Sequence, residues 1–332
     1  MFGDTLVAAA RHLLAIAPYA ILFSWAMTFF GAYIAYVSQT ESAERSFRGY
    51  MRFCFPARIL KHPSLRLDIF FNISFRLLHP FILAPLLVSS AALAAGSYAL
   101  LTMLFGEVEA VSSPSLLTWT LILVALMIAQ DFATFYAHYI EHKFVLLWQF
   151  HKTHHSAEIL VPLTNRRFHP VQTIIDNGFN AIAVGGLIGV SAYVLALPIL
   201  DYSLRGLEAY WLINALSFHH LRHSHIRLGY GWLERYLLSP AQHQLHHSSE
   251  VHHWDKNFGL LLSCWDRWFK TIVYTNPTEQ YRLGLPPGSG DFSTVTGLYI
   301  SPFRGFVKIL RERMQRHAGR SEPAPGPAVP EA

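Results

Sequence analysis

The sequence predicts an all-α integral membrane protein built on a transmembrane helix bundle, with a histidine-rich site for two metals. Three observations predict it. Charged residues are only 14% of the 332 residues and the mean hydropathy is +0.27, outside the ordinary range of soluble domains. The runs 13–37, 77–106, 111–130 and 177–200 contain no Asp, Glu, Lys or Arg. Each suits the roughly 20 helical residues needed to cross a hydrocarbon core of about 30 Å. Fifteen of the nineteen histidines fall between His138 and His253, many at helical spacing.

Taken in order, the first run is too long for a cleavable signal peptide and has no small-residue cleavage site after it. A basic loop follows, with Arg45, Arg48, Arg52, Arg58, Lys61, Arg66 and Arg76 against Glu41, Glu44 and Asp68. The positive-inside rule puts that loop in the cytoplasm and the N-terminus outside. Residues 65–78 mix charge with Phe70, Phe71 and Phe75, the pattern of an interfacial helix leading into the second span. That span returns outward to Glu107 and Glu109. Ser113-Pro114 offers an N-cap followed by a first-turn proline for the third span. The third helix continues past Gln130 to His142, so His138 and His142 emerge just beyond the membrane surface.

A polar break at 165–170 carries His169. The run that follows is closed by Pro198 and Asp201, and the next apolar piece, 209–221, cannot span without Arg205 and Glu208. If His155 and His219 serve one site, the chain between them crosses twice or not at all. A tight hairpin is preferred to a re-entrant pair. Residues 303–315 form a basic amphipathic helix suited to the cytoplasmic leaflet, and the Pro- and Ala-rich tail from Arg320 is expected to be disordered. The domains expected are thus 1–110, an N-terminal hairpin with its basic loop; 111–275, the catalytic region; 276–319, a C-terminal segment; and 320–332, the tail. The net charge of +5 sits beside the spans, which favours anionic lipid headgroups over nucleic acid as partner. Cys54 and Cys264 form neither a disulfide framework nor a thiolate metal site.

The histidines carry the chemistry. His138-x-x-x-His142, His151-x-x-His154-His155 and His243-x-x-His246-His247 each place imidazoles on one helical face. Imidazole ligates iron, zinc and copper. Three such sets exceed what one tetrahedral ion takes, so two adjacent metals are expected. The stretch SFHHLRHSHI adds His219 and His223 at i, i+4, with His220 and His225 beside them, and spacing does not choose among the four. Isolated histidines such as His12, His62 and His79 read as structural. Asp131, Glu141, Glu158, Glu250 and Asp255 are candidates to accept the second ring N–H of a ligand. Phe132, Phe135, Tyr136, Tyr139, Phe168 and Trp254 are candidates to line an apolar route.

Together with His169-Pro170, His223-Ser224-His225, Asn257-Phe258-Gly259 and Trp265-Asp266-Arg267-x-Phe269-x-Thr271, these sets resemble the membrane fatty acid hydroxylase and sterol desaturase superfamily over roughly residues 125–272. Two positions depart from its pattern: Lys270 stands where the family often has Gly, and His225 where Asn or Gly is common. The resemblance implies a cytosolic helical cap enclosing two irons. It carries over the ligands His138, His142, His151, His154, His155, His219, His223, His243, His246 and His247, with His169, His225 and Asn257 as outer-shell candidates. It also implies hydroxylation of a lipid C–H bond with O2, or desaturation on the same site, in a bacterial inner membrane or the endoplasmic reticulum. No haem, flavin, nucleotide or iron–sulfur motif accompanies the histidines, so a ferredoxin or b-type cytochrome is implied as external electron donor. Two rival classes are a histidine-rich metal transporter, which would place ionisable ligands near the bilayer midplane, and a zinc hydrolase, for which three histidines suffice.

Overall fold

In a computed structural model of the chain, residues 2–83, 87, 89–109, 114–197 and 199–318 are described, with side chains for all of these except 2–17, 82, 199–207 and 317–318. Ser113, Pro198, the His12, Asp201 and Arg205 side chains and the tail 320–332 lie outside that description. Among the described residues the fold is all helical; β pairing is limited to isolated bridges between Leu237 and Leu262 and between Ser248 and Leu283.

Among the described residues, three helices are long and apolar enough to cross a membrane. They are the Pro18–Gln39 part of α1 (Phe2–Gln39), a later helix Leu116–Lys143, and the continuous stretch Pro170–Val194. The expected second span, 77–106, is not one helix. Helix α2 (Pro63–Leu78) runs into a π turn, His79–Leu83, and α3 (Ser90–Phe105) starts afresh on a Ser89 cap that accepts from Ala92 N at 3.3 Å. Pro80 and Pro85 lack the N–H that a continuous ladder needs. The 16 residues of α3 reach about 24 Å, short of the bilayer core.

Helix α4 (Leu116–Lys143) starts on Ser115, whose hydroxyl accepts from Thr118 N at 3.1 Å. The N-cap is therefore Ser115 rather than Ser113. The helix runs unbroken through Asp131 to the histidines, because 116–143 contains neither Pro nor Gly. A one-residue joint at extended Phe144 (φ −96°, ψ 109°) turns it into α5 (Val145–His155).

Helix α6 (Pro170–Val194), with a π turn at Ala181–Gly185, leads away from the histidines, and α7 (Ile199–Leu216) returns. The turn between them uses Ala196 at φ 52°. Gly185 and Gly189 let α3 pack closely and in the same direction along α6. An added Cβ would lie 2.5 Å from Ser90 O at the first position and 2.7 Å from Ser97 Cβ at the second. A core of Ala94, Ile122, Leu126, Val184, Ile188, Ala192 and Ala209 joins α3, α4, α6 and α7.

The cap is tied to these helices by buried polar contacts. Asp68 on α2 accepts from Arg167 Nε at 2.6 Å and from Thr164 Oγ1 at 2.8 Å. Both members of the ion pair are 0% exposed, so α2, expected as an interfacial helix, is a packed strut. Helix α8 (Pro240–His246) is opened by a Ser239–Gln242 capping box. Helix α9 (Val295–Ala318) begins earlier than the expected 303–315, and its first half packs on α5. Thr153 Oγ1 donates to Leu298 O at 3.0 Å, and the Phe303 and Phe306 rings lie 5.2 and 5.6 Å from Phe150.

Candidate metal centre

Four pieces of chain deliver imidazoles to one place. Helix α4 brings His138 and His142, one turn apart; α5 brings His151, His154 and His155; α8 and its C-cap bring His243, His246 and His247. His223 follows the short turn His219–Arg222, which Phe218 opens in the left-handed region at φ 48°. The rings sort into two groups. His138, His142, His151, His155 and His246 form one; His154, His223, His243 and His247 form the other. The groups adjoin, with the His155 and His247 rings stacked at 4.5 Å.

The Nε2 atoms converge within each group. In the first, His138–His151, His151–His155 and His142–His155 are 3.1, 3.1 and 3.2 Å apart. In the second, His223 Nε2 lies 3.0 Å from His154, 3.0 Å from His243 and 3.1 Å from His247. Metal–imidazole bonds of about 2.0–2.1 Å meeting near right angles hold nitrogens about 3 Å apart. A protein-only alternative would need one proton for each N–H···N pair, and a neutral imidazole carries one proton in all. In the first group that proton is elsewhere: His138 Nδ1 donates to Phe258 O at 3.0 Å and His246 Nδ1 to Lys256 O at 2.6 Å. Their Nε2 lone pairs therefore face the centre, and each group could hold a nitrogen-ligated metal ion, His243 doing so on losing the Nε2 proton that its Arg222-bonded Nδ1 requires.

The environment keeps the rings neutral. Burial, reinforced by neighbouring imidazoles, drives His154, His155, His223 and His247 well below the ordinary histidine range. Burial takes His151 down to about 3, and His243 falls through burial and then the Arg222 charge. A neutral imidazole is the form that binds metal.

Beyond the rings, Glu141 Oε2 lies 2.9 Å from His151 Nδ1 but out of hydrogen-bond geometry, and Asp255 Oδ1 lies 3.4 Å from His142 Nδ1 while Lys143 Nζ donates to Asp255 Oδ2 at 2.7 Å. The other acids proposed for this role do different work. Asp131 accepts from Leu261 N, Leu262 N and Trp265 Nε1 at 2.8, 3.0 and 2.8 Å. Glu158 lies beside Gly284, and Glu250 opens the short turn Val251–His253. Two residues that the histidine spacing did not point to are Arg222 and Asp266. Arg222 Nη2 donates to His243 Nδ1 and to Gly259 O, both at 2.7 Å. Asp266 accepts from Phe258 N and Gly259 N at 2.9 and 2.8 Å.

The ten carried-over ligands are not all together. His219 joins neither group; its Nε2 meets Asn165 Nδ2 on a cavity wall instead. His220 stacks on Trp25 at 4.3 Å. The three outer-shell candidates spend their hydrogen bonds on backbone and loops. His169 Nε2 donates to Tyr299 O at 3.0 Å, and His225 Nε2 to Phe53 O at 2.8 Å. Asn257, at φ 57°, bonds Gln242 O and Val273 N. They brace the ligand-bearing elements rather than the rings.

A cavity of about 640 Å³ lies among α2, α4, α6 and α7 and reaches both groups, at His138 and His151 and at His154, His223 and His243. Its wall mixes apolar surface with polar side chains, among them Arg76, Gln130, Arg166, Asp176, Asn180 and Asn214. Of the aromatic residues expected on an apolar route, Phe168 lines this cavity, while Phe135, Tyr136 and Tyr139 pack with Phe258 in a core. A second cavity of about 170 Å³ reaches only the first group, past Trp148, Trp254 and Asp255.

The family profile described as fatty acid hydroxylase matches residues 123–271. Ornithine lipid hydroxylase OlsE of Rhizobium tropici is 28% identical over 202 residues, covering 60% of this chain and 52% of that protein. Alkylglycerol monooxygenase of Danio rerio is 27% identical over 169 residues, 51% of this chain and 34% of that protein. The Homo sapiens protein of that name is 28% identical over 156 residues, 47% and 32%. The chain thus spans about half or less of the length of these curated relatives. No solved structure matches. Every paired imidazole described above lies within the matched segment, and the match and these relatives support the resemblance to the fatty acid hydroxylase/sterol desaturase superfamily.

Proposed function

We propose that the protein is a membrane-bound oxidoreductase that hydroxylates a lipid C–H bond with O2, two irons and electrons supplied from outside. The observation that carries this reading is the pair of imidazole groups opening on one cavity between candidate membrane helices. Nine histidines, all the predicted ligands except His219, would hold the metals. Bound iron supplies the oxidising chemistry that an unactivated C–H bond demands. The chain's own part is to hold neutral rings, to exclude bulk water by burial, and to seat the lipid. The relatives' names, an ornithine lipid hydroxylase and alkylglycerol monooxygenases, point the same way.

The polar side chains on the cavity wall bear on the substrate. Arg76, Gln130, Arg166 and Asn180 offer charge and hydrogen bonds beside the rings, where a bare acyl chain would prefer apolar contacts. A lipid that brings both apolar chain and a polar headgroup to the cavity fits this mixed wall. The basic loop lies on the histidine side, because Gln39 Nε2 reaches Arg227 O at 2.7 Å and Asp68 pairs with Arg167. By the positive-inside rule the centre is then cytoplasmic. The smaller cavity beside Trp148 gives an external electron donor, a ferredoxin or b-type cytochrome, its approach to the first group. A transporter fits less well, since the rings gather at the ends of the helices rather than mid-span.

The test compares lipid masses in cells carrying the intact gene with cells carrying His154→Ala. One lipid gaining an oxygen only with the intact chain is the expected result, with that oxygen in the headgroup fragment. A lipid losing two hydrogens would convert the reading to desaturation. Identical lipid profiles would overturn it.

A further inference from the structure

Helix α9 is fixed to the cap by one face and leaves another uncovered. Its buried side holds Leu298 and Pro302, and Gly305 leaves no room for a Cβ beside Gln149 Oε1. The Tyr299 ring lies 5.0 Å from Phe71 of α2, and its hydroxyl shares a 3.1 Å hydrogen bond with Ser74 Oγ. These contacts set the rotation of the helix. Ile300, Phe303, Val307, Leu310 and Met314 are then left exposed, at alternating i+3 and i+4 steps that form one stripe.

Its surroundings identify what covers that stripe. On one side α2 exposes Ile69, Phe70, Ile73 and Leu77 along a single face. Helix α2 leads through the π turn His79–Leu83 toward α3 of the bundle. The two apolar faces, joined at the Tyr299–Phe71 contact, thus continue the apolar exterior of the membrane helices. On the other side Arg304, Lys308 and Arg311 make an exposed basic edge. Among the described residues Lys308 and Arg311 have no ion pair, and Arg304 has only the Asp291 charge nearby. Lys152 of α5 adds a fourth cation: burial, and then the Lys308 charge, hold its ammonium below the ordinary lysine range. Glu312 is the one acid of α9. An apolar stripe with a cationic border suits a helix lying in a headgroup plane, where an anionic leaflet attracts the cations. A second copy of the chain on the stripe would bring two basic edges together with little acid to offset them.

We propose that α9 lies in the headgroup plane of the leaflet on the histidine side. Its stripe and the α2 face dip as one shelf into the acyl boundary, while Arg304, Lys308 and Arg311 gather anionic lipid. The shelf seats the cap on the bilayer: α9 packs on α5, which carries three of the grouped histidines, and α2 lines the larger cavity at Phe75 and Arg76. The inference holds whether or not the rings carry iron.

The experiment uses the full chain in lipid nanodiscs of mixed phosphatidylcholine and phosphatidylglycerol, with Cys54→Ala and Cys264→Ala as background and a fluorophore on Val307→Cys or Glu312→Cys. The Val307→Cys probe is expected to be quenched by nitroxide on acyl chains and shielded from iodide, and the Glu312→Cys probe the reverse. At equal content, nitroxide on phosphatidylglycerol should quench the Val307→Cys probe about twofold or more strongly than nitroxide on phosphatidylcholine. That preference should vanish in high salt and in Arg304→Gln/Lys308→Gln/Arg311→Gln, whose three exposed changes should keep the unfolding midpoint. Iodide quenching at Val307→Cys overturns the inference, and so does equal quenching by the two lipids. Shielding from both nitroxide and iodide overturns it as well, and gives the stripe to a protein partner or a second copy. None of these outcomes alters the metal centre, whose failure is read separately from bound metal.

Discussion

Lys270 sits at φ 61°, in the left-handed region that costs a residue with a Cβ about 1–2 kcal/mol. This is the position where the family often carries Gly, and the backbone there explains why. The strain persists because the segment is held on both sides: Thr271 N donates to Asp266 O at 2.7 Å, and Asn257 N to Thr271 O at 2.9 Å. Lys270→Gly is therefore expected to raise stability by about 1 kcal/mol, seen as a higher thermal midpoint in detergent. An unchanged or lower midpoint would show that the strain is already offset by the lysine's own contacts. His169 makes a second residue-scale case. Its Nδ1 accepts from Val171 N at 3.1 Å to cap α6, which only a neutral ring can do, and burial lowers it from 6.5 to about 4. The unfolded state takes up the proton first, so this contribution is complete above pH 6.5 and is lost as pH falls toward 4. The loss amounts to roughly 3 kcal/mol at most. Denaturant unfolding at pH 7.5 and at pH 5 should show a smaller pH effect in His169→Asn, whose side chain still caps. An equal effect in both proteins would remove His169 from the account.

At the scale of elements, the bundle depends on α3 and α6 lying unusually close. The stretch Gly185-Gly186-Leu187-Ile188-Gly189 is a small-xxx-small motif of the kind that packs membrane helices. It supplies contact where α3 is too short to cross by itself. Gly189→Val would drive a side chain into Ala94 and Ser97 on α3, with an expected cost of about 1–3 kcal/mol. Gly186→Ala, whose added Cβ meets nothing within 4 Å, is the matched control and should cost no more than a few tenths. The comparison is read from unfolding midpoints in the same detergent, and equal midpoints for the two variants would discount the close packing.

For the whole molecule, the C-terminal helix holds the centre together from outside. Helix α9 covers Phe150, receives the Thr153 hydroxyl at Leu298 O, and receives His169 at Tyr299 O. Helix α5 carries three of the nine grouped histidines, so its packing and the two imidazole groups are coupled. A chain ended after Ser293 is expected to lose most of its bound metal while α1, α4 and α6 still insert. Metal per chain in the membrane fraction, measured by elemental analysis, checks this; full metal content in the truncated chain would make α9 dispensable.

The all-helical class, the spans at 13–37, 111–130 and 177–200 and the three histidine sets were legible along the chain, because each is a local pattern whose period is that of a single helix. Pro80 was equally visible, yet the run 77–106 was read by its unbroken hydropathy as one span. What the chain could not declare by itself was which imidazoles share a centre. His219 and His223 have the same i, i+4 spacing as His138 and His142, but the turn ends at Arg222 and His223 sits outside it at φ −106°, ψ 69°, so His223 reaches the rings while His219 stays on the cavity wall. Glu141 and Asp255 were no more marked in sequence than Glu158 and Glu250. Only the folding of α4, α5 and α8 against one another brings two of these acids to imidazole nitrogens and sets the others elsewhere. Helical periodicity orders neighbours within a few turns, whereas contacts such as Arg222 with His243 and Asp131 with Trp265 depend on how separate helices pack.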